Sequence, residues 1–164
     1  KGRRGEEYVA KILELADIKC KLHDEPSKAH PYDIECTLGK TKFKCEVKYD
    51  AMAALTGNVC IEFFNPKSGK NSGVNITKAD IWVQLLRDGS NMTMWMTSVK
   101  ELKKFIKTEK PHKIVPIGGD DNASLLLYKQ DRILGVLMKR AETLDEKELQ
   151  KLVKELLKGK NGSD

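Results

Sequence analysis

Two alternating runs joined through a two-residue turn constrain this chain more than any other feature. Residues 32–38 and 43–48 alternate apolar and polar side chains, and Leu38-Gly39-Lys40-Thr41 between them has Gly at the first central position of a tight hairpin turn. Successive strand side chains point to opposite faces. Ile34, Cys36 and Leu38 therefore share one face with Phe43, Cys45 and Val47, and Asp33 and Glu35 share the other with Glu46 and Lys48. The hairpin brings Asp33 close to Glu46 and Lys48. Two adjacent carboxylates repel unless a cation sits between them, and oxygen-only ligands suit a hard ion such as Mg²⁺. A neighbouring lysine can orient or help deprotonate a water, or neutralise charge on a phosphate. The acid-x-Lys triplet alone says little, since Asp17-x-Lys19, Glu101-x-Lys103 and Asp145-x-Lys147 repeat it. Only the triplet at Glu46 lies on a strand paired through a tight turn with an earlier acid.

The remaining pattern predicts one α/β domain over 1–164, helix first and then a mixed sheet flanked by helices. A catalytic core covers about 1–110, and a C-terminal hairpin and helix cover 111–159. Val9, Ile12, Leu13 and Ala16 form the apolar stripe of a first helix. Strands are expected at 18–22, 32–38, 43–48 and 59–64, a loop at 65–75, and a second hairpin from 81–87 to 92–97. Ser98 and Glu101 make a capping box for a helix buried through Val99, Leu102, Phe105 and Ile106. Strands at 113–117 and 124–134 flank a turn at Gly118-Gly119-Asp120-Asp121-Asn122. A last helix starts at the capping box Thr143…Glu146 and ends at Gly159.

A further acid joins the hairpin. Glu6 precedes Val9, Ala10 and Leu13 by helical spacings, so it extends the buried stripe, whereas Glu7 falls on the polar face. A carboxylate there must be paired or bind a cation, or else serve as a first-turn acid on the helix dipole. Pro31-Tyr32-Asp33 followed by Glu46-Val47-Lys48 resembles the motif of the PD-(D/E)XK nuclease superfamily, with Tyr32 inserted between Pro and Asp. A Lys-Gly start, a helical Glu, a strand Asp and Glu-Val-Lys on the next strand are similar to the archaeal Holliday-junction resolvases, over roughly residues 1–64. The resemblance implies a restriction-endonuclease-like fold. It also implies metal ligation by Glu6, Asp33, Glu46 and the Val47 carbonyl, with Lys48 as catalytic lysine. The activity implied is Mg²⁺-dependent hydrolysis of DNA phosphodiesters, with Mn²⁺ able to substitute and branched or junction DNA preferred. A symmetric homodimer would serve to cut both strands. The alternatives are a restriction-type or nicking enzyme, and a non-catalytic nucleic-acid-binding module whose acids balance neighbouring lysines.

Charge agrees with a polyanionic partner without identifying one. The 164 residues carry 30 Lys and Arg against 24 Asp and Glu, a net charge of +6. Lys1, Arg3, Arg4, Lys67, Lys70 and Lys78 are the candidates to ring the site on the DNA side. The glycine-rich loop carrying Lys67 and Lys70 offers backbone amides to phosphates, and 77–80 reads as a capped helical turn. Glu62 is a further strand acid, more simply solvated or salt-bridged, and His30 is a loop histidine. Trp82 and Trp95 read as core residues rather than base-stacking platforms. No apolar run approaches the roughly 18 residues of a membrane span, and no organic-cofactor motif occurs. Cys20, Cys36, Cys45 and Cys60 lack zinc-site spacing and read as reduced core thiols, which points to an intracellular, reducing compartment.

Overall fold

Gly39 and Gly89 set the frame. Each takes the first central position of a two-residue turn with positive φ (62° and 63°), and the turns close Leu38 on Thr41 and Asp88 on Asn91. Only glycine adopts that conformation without a Cβ penalty. The computed structural model describes residues 2–25, 30–118 and 123–158, so Gly159 and most of the turn at 118–122 lie outside the described residues.

Helix α1 (Gly2–Leu15) precedes strands β1 (Lys19–Leu22), β2 (Ile34–Leu38) and β3 (Thr41–Asp50). A short helix α2 (Ala53–Thr56) leads to β4 (Asn58–Asn65), β5 (Lys70–Asn71) and a 3-10 turn at Gly73–Asn75. Then come β6 (Ile81–Asp88), β7 (Asn91–Ser98), α3 (Val99–Thr108), β8 (Lys113–Gly118) and β9 (Ala123–Lys129). Helix α4 (Gln130–Ile133), β10 (Lys139–Arg140) and α5 (Glu146–Leu156) complete the chain. The result is a single α/β domain with a mixed sheet, ordered β1-β2-β3-β6-β7-β10, flanked by helices. The β3–β6 pairing is parallel and the others are antiparallel.

A second sheet, ordered β5-β4-β9-β8, departs from the sequence expectation of one sheet. Its antiparallel pairing of β4 with β9 ties the C-terminal hairpin into the domain. The two cores follow from strand alternation. Val83, Leu85, Met94 and Met96 face α1 and α5 on one side of the large sheet. Trp82, Leu86 and Trp95 face β4, β9 and α3 on the other. Trp82 is fully buried and Trp95 half-buried, so both serve the core as expected.

Three local expectations are corrected. The run at 124–134 is extended only to Lys129; from Gln130 it turns into α4, whose Gln130 side chain donates to the Ala53 carbonyl at 3.0 Å. The last helix starts two residues later than expected, because Asp145 and Glu148 form the reciprocal cap instead of Thr143 and Glu146. Residues 77–80 are not helical: Lys78 N–H donates to the Pro31 carbonyl and Asp80 N–H to the Lys44 carbonyl, both at 2.8 Å. Ser98 caps α3, its hydroxyl accepting from Glu101 N–H at 3.0 Å, which is the Ser98 half of the expected capping box. Within the expected loop at 65–75 lie β5 and the 3-10 turn.

Candidate functional site

The β2–β3 ladder ends at Ile34 opposite Cys45, and β3 continues for five residues beyond. That gap in the sheet is the candidate site. Asp33 N–H still donates to the Cys45 carbonyl at 2.9 Å, while Asp33 Oδ2 accepts from Val47 N–H at 2.7 Å. The Asp33 side chain thus replaces a strand partner. Backbone groups of alternate residues point to the same side, so the Val47 carbonyl also turns toward the gap, where no β2 residue is in register with it.

Glu46 and Lys48 lie on the same face of β3, in register with Trp82 and Gln84 of β6. Lys48 Nζ stands 3.2 Å from Glu46 Oε2 and 5.9 Å from the centre of the Trp82 ring. The Thr77 hydroxyl donates to Glu46 Oε1 at 2.9 Å. Glu46 is only 8% exposed. Burial, together with the nearby Asp33 charge, pushes its carboxyl up to about 7 against the pull of Lys48 and Thr77. Burial acts to lower the Lys48 ammonium, yet the charges of Glu46, Glu62 and Asp33 hold it above its ordinary range.

Helix α1 brings Glu6 to the same place because Gly5 lies flat on the sheet. A Cβ on Gly5 would stand 3.2 Å from Leu85 Cδ1 and 3.7 Å from Val47 Cγ1, so the absent side chain allows the close approach. Burial and then Asp33 raise the Glu6 carboxyl, partly offset by Arg3 and His30. Arg3 Nη1 is 3.9 Å from Glu6 Oε1 and donates to the His23 carbonyl at 2.8 Å. His30 stacks on His23 with ring centres 3.6 Å apart.

The structure therefore gathers Glu6, Asp33, Glu46, Val47 and Lys48, with Arg3 and Glu62 beside them. Lys78 is an exposed neighbour of Thr77, and Arg4 is exposed on α1. Lys67 and Lys70 are exposed beyond β4, where Lys67 N–H is turned onto Asn65 Oδ1, and no hydrogen bond or ion pair links them to the carboxylates. Lys1 lies outside the described residues. The sequence reading missed two residues. Thr77 fell in the supposed helical turn, with nothing local to mark its contact with Glu46. Asp50 continues the Glu46–Lys48 face; it is buried, accepts from Met52 N–H at 3.0 Å through Oδ1 and leaves Oδ2 without a hydrogen bond. Its signal, the period of two, was present.

The donor chemistry suits a hard divalent cation: the carboxyls of Glu6 and Glu46 are raised by burial and by the Asp33 charge, and a carbonyl turns toward the same gap. Among the described residues, no three His, Cys, Asp or Glu side chains converge as a ready-made cage, and Asp33 and Glu46 each hold a protein partner. All four cysteines are free thiols. Among the described residues no helix is long and apolar enough to cross a membrane. Comparison with protein-family models, curated proteins and solved structures finds no match.

The Glu46 shift has a consequence for stability. The folded carboxyl titrates at about 7 against 4.5 when unfolded, so between these values the folded state binds more protons. The associated stability is complete below 4.5 and is lost as pH rises through about 7. With a chelator present, Glu46→Gln is expected to be the more stable protein at pH 8 by on the order of 2 kcal/mol, and to lose that advantage near pH 4. Paired thermal melts across that range measure it; parallel pH profiles for the two proteins would contradict the assignment.

Proposed function

We propose that this chain is a divalent-metal-dependent DNA endonuclease of restriction-endonuclease-like architecture. One observation carries the reading: at a gap in the sheet the charge of Asp33, at the end of β2, bears on Glu6 of α1, on Glu46 of β3 and on the half-buried Lys48, which stands 3.2 Å from Glu46. Such a cluster is costly to bury unless a cation or a phosphate completes it. Glu6, Asp33, Glu46 and the Val47 carbonyl would hold Mg²⁺ or Mn²⁺, which would activate the water and stabilise charge on the scissile phosphate. With Glu46 engaged in holding the cation, the Lys48 ammonium beside it would be free to pair with the phosphate or to orient the attacking water. Thr77 keeps Glu46 aimed at the gap, and the Val47 N–H keeps Asp33 in place. Arg3 and Lys78 stand on the rim, where a DNA backbone would pass.

Branched or four-way junction DNA is the proposed substrate, by the resemblance of residues 1–64 to junction resolvases, and a homodimer would supply the second cut. A binding module without catalysis is the competing reading, favoured by the Glu46–Lys48 ion pair, which satisfies both charges within the protein. Incubation of the protein with supercoiled plasmid and with a labelled four-way junction, with Mg²⁺ or with chelator, separates the two. Cleavage that requires the metal and is lost in Glu46→Ala is expected. Intact DNA under Mg²⁺ and Mn²⁺ alike would sink the enzyme reading.

A further inference from the structure

We propose that the open face of β1, β2 and β3 is the track on which the phosphate backbone of duplex DNA lies as it enters the carboxylate site. This rests on the nucleic-acid reading of that site and adds a surface the loop lysines do not supply. The second sheet and α3 cover this face of the large sheet over β6 and β7, and the cover stops at β3. Beyond it, outward side chains form two rows across the strands: Lys19–Thr37–Lys42 and Lys21–Glu35–Lys44. Four lysines thus face one carboxylate. Lys19, Lys21 and Lys42 are exposed, and Lys44 is half-buried with its ammonium 4.6 Å over the Tyr32 ring. The Tyr32 hydroxyl donates to Glu35 at 2.5 Å and holds its carboxyl below the usual range, so Glu35 stays ionised and the four lysines outweigh its single charge. Lys21 and Lys44 are near enough to hold its carboxyl lower still.

Geometry and chemistry select the occupant. Strands about 4.8 Å apart put the two lysines of each row roughly 10 Å from one another, and i, i+2 positions stand about 7 Å apart along a strand. The cations form a fixed grid on rigid elements. A shallow hollow of about 350 Å³ lies over the grid, with Lys19, Lys21, Glu35, Thr37, Lys42 and Lys44 among its lining residues. Within the rows the outward side chains are four lysines, one threonine and one glutamate, and that excess of positive charge makes a polyanion the complement of the face. Continuity fixes the direction. Lys42, Lys44, Glu46 and Lys48 occupy alternate positions of β3, so the grid runs into the site along one strand.

The test is binding of a fluorescently labelled duplex in chelator, where nothing is cut, from about 50 to 200 mM salt. The proteins compared are wild type, the variant K19Q/K21Q/K42Q/K44Q, and the control K147Q/K151Q/K154Q on exposed positions of α5. The four-lysine variant is expected to bind at least about 30-fold more weakly, and its log–log salt slope to fall by about 3 to 4, while the control stays near wild type. Melting curves check folding, and K19Q/K21Q and K42Q/K44Q as separate pairs, each giving half the effect, replace the quadruple variant if it melts early. Unchanged affinity and slope would overturn the proposal, as would equal loss in the control or a wild type that holds heparin but no duplex. Loss of binding in a protein that never cleaves DNA would leave the track standing and remove the nuclease reading. Metal-dependent cleavage with unchanged binding in the variant would do the reverse.

Discussion

Lys48→Ala is expected to lower metal-dependent DNA cleavage by on the order of 10³-fold, about 4 kcal/mol of transition-state stabilisation. The size follows from where the ammonium stands. It is 30% exposed, 3.2 Å from Glu46, and surrounded by carboxylates that keep it charged well past neutrality. Truncation leaves no other cation at that point of β3, whereas truncating a rim lysine such as Lys78 removes one contact among several. The fold should persist in Lys48→Ala, since Glu46 can take up a proton once its partner is gone. Lys48→Arg is expected to recover little, because a wider planar cation does not reproduce a compact one. Single-turnover cleavage with saturating Mg²⁺, beside a thermal melt of each variant, measures both effects. Activity within about threefold of wild type in Lys48→Ala would remove Lys48 from the reaction.

Gly73→Ala is expected to cost about 3 kcal/mol or more of folding stability, roughly 9 °C of melting temperature in a chain of this size. Gly73 has φ +53°, and a Cβ there would fall 2.1 Å from the backbone oxygen of Glu62 and 2.7 Å from its carbonyl carbon. The left-handed conformation alone costs an alanine about 1–2 kcal/mol, and backbone cannot rotate away as a side-chain end can. The 3-10 turn therefore rides directly on β4 at Glu62, the residue whose charge reaches Lys48, and shifting it also moves Thr77 a few residues on. Gly69→Ala is the fitting control: φ is +70°, yet no atom stands within 4 Å of its added Cβ. Urea unfolding of both separates clash from conformational strain, and equal destabilisation of the two would show that the contact with Glu62 yields cheaply.

The heart of the site was legible because its information is local. A two-residue turn beginning with Gly fixes register, register fixes faces, and so Asp33, Glu46 and Lys48 had to meet. Glu6 followed from the helical period. What the sequence concealed is non-local. Nothing in residues 58–65 says that β4 leaves the first sheet to pair with β9, since a strand carries no mark of its partner. Thr77 holds Glu46 across 31 positions. At the last helix, Thr143…Glu146 and Asp145…Glu148 both fit the capping spacing, and only packing chose between them. The extended start of 124–134 gave no local sign that the chain would turn into α4 at Gln130. The lysine grid was readable in principle, by the alternation and register that placed the site acids, but only once the opposite face was known to be uncovered.

The same lysines bear on how copies of the chain treat one another. Strand β1 ends the large sheet, and an end strand presents hydrogen-bonding groups that another sheet can extend. Here Cys20 and Leu22 point into the core while Lys19 and Lys21 project from the opposite face. Two such ends cannot align without bringing like charges together, so self-association along this edge is opposed by repulsion. A surface that attracts a polyanion thereby also guards the molecule against sheet-to-sheet aggregation.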